Sequence, residues 1–277
     1  MTNGKLLACA FAAVGLVSIP RQASAIDRLT DQEMKKLFDT IEEDRSKFEG
    51  ALDDKQKNTT IKDARGEVNA NEFFDDFQDQ VQRASDRFES DYSASSEVLS
   101  LLQYAVRLQG WTATQPAGFS GSKEWGVLAT DLRRLAAAYN TAMPNPGQQG
   151  LGSIAQARRI NDAELVTAAA NLEKKIDGFK TAYDSALTAN TKITPEMRQT
   201  AIQQVDAMKN NAKALNEALG NKQKGVPEAG VLLKSSALII DTASKLPSGS
   251  AATAAWTPLG SDLVTVALAY EVTPTRQ

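Results

Sequence analysis

The chain has 277 residues, a formal charge of −3, 42% hydrophobic residues, one cysteine and no histidine. Its length and hydrophobic content suit one or two packed domains rather than a disordered chain. A weakly acidic chain is not a broad basic nucleic-acid surface, and a chain without histidine has no His-ligated zinc, no Ser–His or Cys–His nucleophile pair and no imidazole acid–base step.

The first 25 residues read as an export signal. Lys5 supplies a short positive region, and Leu6–Ile19 is apolar. Ala23-Ser24-Ala25 forms an A-x-A cleavage site, so the mature chain is expected to begin at Ile26. The apolar run is shorter than the roughly 20 residues of a membrane span. Cleavage removes Cys9, the one cysteine, so the mature chain is expected to have neither thiol nor disulfide.

From Ile26 onward the pattern is that of amphipathic helices. Thr30-Asp31-Gln32-Glu33 is a capping box. Met34, Leu37, Ile41 and Phe48 then share one helical face, and this helix is expected to run to about Lys57. A second helix starts between Asp63 and Asn71. Its seam is Phe74, Phe77, Val81, Ala84 and Phe88, with steps of three and four. The seam weakens over Ser93–Ser95 and resumes at Val98, Leu102 and Ala105, with an expected stop at Gly110. A loop from Thr112 to Gly121 follows, and Ser122 is expected to cap a helix carrying Trp125, Leu128, Leu132, Leu135 and Tyr139. The Gly-rich stretch 147–156 reads as a linker.

The second half repeats the first at an offset of 131 positions. Trp125–Tyr139 (WGVLATDLRRLAAAY) and Trp256–Tyr270 (WTPLGSDLVTVALAY) share a tryptophan, an acid and a tyrosine at fixed spacing. Arg28, Thr30, Asp31 and Glu33 match Arg159, Asn161, Asp162 and Glu164, and Phe48 matches Phe179. The seam Phe74–Phe88 matches Val205, Met208, Ala212, Leu215 and Leu219 without insertion. Gly225 and Pro227 break the second copy between helices near Pro195–Leu219 and Pro227–Lys245, and the same break is expected near 93–95 in the first. The expected fold is therefore all-α: a tandem duplication of an up-and-down four-helix bundle, with about eight helices in the mature chain. The expected organisation is signal 1–25, first copy 26–146, linker 147–156 and second copy 157–277. The first half (26–156) carries 15 basic and 22 acidic residues, whereas 157–277 carries 14 and 12, so the halves differ in sign.

No catalytic, cofactor or metal motif emerges. Glu72, Asp75, Asp76 and Asp79 read as a solvated face opposite Phe74 and Phe77, and the second copy keeps one acid there. Asp131 and Asp262 stand beside core leucines in both copies. A half-buried acid there has two readings, a structural hydrogen bond near a helix end or an acid–base group of a carboxylate-dependent hydrolase. Thr257-Pro258 places Asp262 near an expected helix start. Trp111 has no aromatic counterpart and, with Phe119, is the expected exposed recognition element. The leading expectation is an exported, non-enzymatic helical protein whose partner is another protein or envelope component, without nucleic acid, cofactor or later membrane span. A carrier of a small apolar ligand and the hydrolase are the alternatives.

Overall fold

A computed structural model describes residues 28–63, 66–141, 143, 158–243, 246 and 250–270. The expected signal 1–25 and the expected linker 147–156 lie outside the described residues. The fold is all-α apart from one small hairpin. The chain divides into two compact units. The first is Leu29–Asn161; the described part of the second is 162–270 together with Arg28.

In the first unit, α1 (Asp31–Ala51) opens on the expected capping box: Thr30 Oγ1 accepts from the Glu33 amide and Glu33 accepts from the Thr30 amide. Its Met34, Leu37, Phe38, Ile41 and Phe48 are buried. The helix does not reach Lys57. It ends at extended Leu52, and Asp53 starts a separate short helix, α2 (Asp54–Lys57), through a second capping box with Gln56. A local D-x-x-Q cap thus outcompetes continuation of the longer helix. Next comes the hairpin of β1 (Thr60–Asp63) and β2 (Gly66–Asn69), antiparallel with Ile61 opposite Val68. Ile61 is buried, which anchors the hairpin to the core.

Asn69 caps α3 (Ala70–Asp91), whose five seam residues are all fully buried. The break near 93–95 is present. Tyr92 and Ala94 adopt left-handed φ of 57° and 49°, and the Asp91 carboxylate accepts from the Ser93 and Ala94 amides. Those backbone donors hold the Asp91 carboxyl below its ordinary value. α4 (Ser95–Thr114) runs past the expected stop at Gly110. Gly110 faces open space, so its cost of about 1 kcal/mol in a helix is outweighed by packing of the following Trp111. α5 (Ser122–Ala138) is not capped by Ser122, which is its first helical residue; Gly121, at φ 91°, is the N-cap without a side-chain bond. A Cβ at Gly121 would stand 3.0 Å from Leu52 Cδ2, so a close chain approach fixes that residue. Each of α1, α3, α4 and α5 packs on the next, and α5 returns to α1.

The second unit has the same order: α6 (Asp162–Ala189), α7 (Pro195–Gly220), α8 (Val226–Ala243) and α9 (Ala251–Tyr270), with α9 returning to α6. Thr194 caps α7 by accepting from the Met197 amide, with Pro195 at the first position. The expected start of the last helix at Thr257-Pro258 is overturned. α9 begins at Ala251 and Pro258 lies inside it, which puts Asp262 in mid-helix. There the proline forgoes one helical hydrogen bond while its neighbours Trp256 and Leu259 stay buried.

Pairs of contacts separated by 131 positions recur in the two units. Tyr139 Oη donates to the Ser93 carbonyl and Tyr270 Oη to the Lys224 carbonyl, both at 2.5 Å. Burial raises both phenols, Tyr270 to about 12, so both remain donors. Phe48 meets Trp125 at 5.7 Å between ring centroids, and Phe179 meets Trp256 at 5.1 Å.

Candidate functional site

Two places gather the sequence's candidate residues. The first is Trp111 with Phe119. Trp111 is 6% exposed, which corrects the expectation of an exposed recognition residue. Its indole donates to Thr59 Oγ1 at 2.9 Å, and its ring meets Phe74 and Phe119 edge-on at 6.0 and 6.3 Å. Trp111 therefore roofs the core beneath the hairpin that follows α2. Phe119 is half-buried against it. The hairpin explains the missing counterpart: the matching stretch of the second half, 191–200, forms a turn and the start of α7.

The second place is the interface of the first and last helices in each unit, where Asp131 and Asp262 sit. In the second unit Asp262 accepts from Lys175 Nζ of α6 at 2.7 Å. In the first unit the residue at the Lys175 position is Asp44, on α1. The Asp131 carboxyl on α5 is among the groups that raise its pKa. Asp44 and Asp131 are 6% and 7% exposed. Burial pushes the Asp44 carboxyl up, Lys47 pulls it down, and the Asp131 carboxyl raises it again. Lys47 Nζ lies 3.4 Å from Asp44 Oδ1 but only 2.8 Å from Glu43, and Arg134 lies 2.8 Å from Asp131 Oδ1. Both cations are more than half exposed, so water screens much of their compensation. The structural partner of each aspartate is a basic side chain, Arg134 for Asp131 and Lys175 for Asp262, rather than a helix-end amide, tyrosine or tryptophan. Sequence reasoning missed Asp44. The signal was present as a charge reversal, Asp44 against Lys175, opposite an acid kept in both halves.

The matched arginines Arg28 and Arg159 have a role that the sequence did not reveal. Arg159 is buried in the first unit. It pairs with Asp31 at 2.6 Å, donates to the Leu29 and Tyr92 carbonyls and lies 5.2 Å over the Phe88 ring. Arg28, 131 positions earlier, is buried in the second unit and pairs with Asp162 at 2.5 Å. Each arginine precedes one helical set in the chain, yet its acid opens the first helix of the other. An acid at that first turn is favoured by the helix dipole, and the arginine completes the neutralisation.

Glu72, Asp75 and Asp79 are exposed on α3. Among the described residues no three acidic, histidine or cysteine side chains converge to hold a metal, and no helix is long and apolar enough to cross a membrane. The class defined by fold and site is an all-α protein in which the buried Arg28 and Arg159 pair with acids at distant helix starts, while the buried Arg45, Asp131, Thr112 and Ser236 bond within their own helices. Comparison of the chain with protein-family models, with curated proteins and with solved structures finds no match.

Proposed function

We propose that the protein is an exported, non-enzymatic tandem duplication of a four-helix bundle that serves as an interaction or envelope scaffold module. The observation that supports this reading best is the outer face of α8. Val231 and Leu238 are each 53% exposed and stand seven residues apart, two turns along one face. At the matching positions of the first half are Ser100 and Arg107. The inward residues agree: Val98, Leu101, Leu102 and Leu108 are buried, as are Ala229, Leu232, Leu233 and Ile239. Packing explains the inward set. It leaves the two outward apolar residues to be covered by a macromolecular partner laid along α8.

Export is supported by the apolar Leu6–Ile19 and the Ala23-Ser24-Ala25 site, and a mature protein whose intact mass begins at Ile26 is the expected outcome. The absence of histidine, and the closure of Asp262 on Lys175, support a non-enzymatic role. The interaction is tested by the double variant Val231→Ser, Leu238→Arg, which copies the first half. Loss of binding to envelope fractions at unchanged melting temperature is expected. Binding equal to that of the natural chain overturns the assignment to this face.

A further inference from the structure

We propose that the segments Arg28–Asp31 and Arg159–Asp162 are a self-recognition element, and that the partner it fits is a second copy of this chain, joined by exchange of these segments. Both read Arg-x-x-Asp with an aliphatic residue second, Arg-Leu-Thr-Asp and Arg-Ile-Asn-Asp. Their bonds are reciprocal. Arg28 pairs with Asp162 at 2.5 Å, and Arg159 pairs with Asp31 at 2.6 Å. Each segment gives its arginine to the other's acid and takes the other's arginine on its own acid. Such an element is self-complementary, as in a two-fold interface where residue i meets j and j meets i. The ligand it fits is the same sequence again.

Burial makes the recognition selective. The Arg28 and Arg159 side chains are 5% and 3% exposed, so each needs an acid held in place, and a partner without one leaves a buried charge unpaired. Asp31 and Asp162 stand in the first turns of α1 and α6, where the helix dipole favours an acid and the backbone fixes its position. The chain passes from arginine to acid within three residues in both segments. A second copy presents the same arginine and the same acid, so exchange keeps both ion pairs and alters only the backbone at Leu29-Thr30 and Ile160-Asn161. Short hinges of this kind invite swapping. Asp162 is 41% exposed against 16% for Asp31, so the Arg28–Asp162 joint is the one that opens first. Within one chain the segments meet at an effective concentration of about 1 mM, and exchange competes as the protein is refolded near that concentration. These bonds stand whether or not the halves share an ancestor.

The test is charge-reversal complementation in the full chain. Arg28→Asp and Asp162→Arg each set like charges against each other at one joint of a single chain. When the two variants are refolded together from urea, only a dimer of one copy of each satisfies every joint: the reversed arm of one chain meets the reversed acid site of the other, and the second joint is natural. Native mass spectrometry is expected to show a species of two chains, one of each variant, that neither variant forms alone. Both substitutions in one chain are expected to return a single-chain mass and the natural melting temperature. A mixture that stays at single-chain mass, or dimers of equal yield in each variant alone, would overturn the proposal. Should the single variants fail to fold, the natural chain decides. Refolded at about 1 mM and then diluted, it is expected to retain a two-chain species that refolding at low concentration does not give, and a single-chain mass under both conditions overturns the exchange.

Discussion

Replacing Arg159 by methionine tests the packing account most severely, because methionine keeps an apolar stem while removing the charge. The substitution leaves Asp31 without its cation and the Leu29 and Tyr92 carbonyls without their guanidinium donor, and it removes the cation from the Phe88 ring. Breaking a buried ion pair from one side costs about 3–5 kcal/mol. Asp31 keeps 16% exposure and sits at a helix N-terminus, which stabilises its carboxylate and moves the expectation to the low end, about 3 kcal/mol. For a unit of this size that corresponds to a fall of roughly 10 °C in melting temperature. The assay is urea unfolding of the full chain with peptide-resolved hydrogen exchange. Loss of protection is expected in α1 and around Phe88–Ala94, although Arg159 lies about a hundred residues beyond α1 in the chain. Arg159→Lys is expected to fall between, since lysine keeps the charge but not the planar fork. A loss below about 1 kcal/mol, or protection lost only in α6, would refute the reasoning.

Arg28→Met is the counterpart, and its loss of protection is expected at the start of α6, where Asp162 sits. Tyr139→Phe and Tyr270→Phe each leave a turn carbonyl without its donor, so each is expected to cost about 1–2 kcal/mol, read as a shift of the urea midpoint. Gly225→Ala is expected to cost about 1–3 kcal/mol, read the same way. Its Cβ would meet Leu215 Cδ1 at 2.7 Å, and its φ of 65° already disfavours a side chain.

Much of the helical order was legible because its causes are local. The Thr30 cap, the Phe74–Phe88 seam and the Thr194-Pro195 start each lie within a few residues. The errors came where local rules met competition. Asp53 and Gln56 form as good a cap as Thr30 and Glu33, and they end α1 early. Gly110 and Pro258 look like boundaries but sit inside helices, because Trp111 and Trp256 find core partners on the far side of each expected boundary or beside it. The hairpin was hidden because Thr59-Thr60-Ile61 and Val68 are too short a pattern to compete with helix signals. The site was half legible. Asp131 and Asp262 stood out as repeated acids, but the partner of Asp262, Lys175, lies 87 positions away in the chain. No periodicity in a single helix reveals such a partner; the offset between the halves does.

Site-specific photocrosslinking bears most directly on the proposed role. A photoreactive residue at Leu238 is expected to yield a discrete adduct with one macromolecule in cells that export the protein, and the same probe at Arg107 is expected to yield none. Adducts of equal yield at both positions, or none at Leu238, would contradict an interaction role for the outer face of α8.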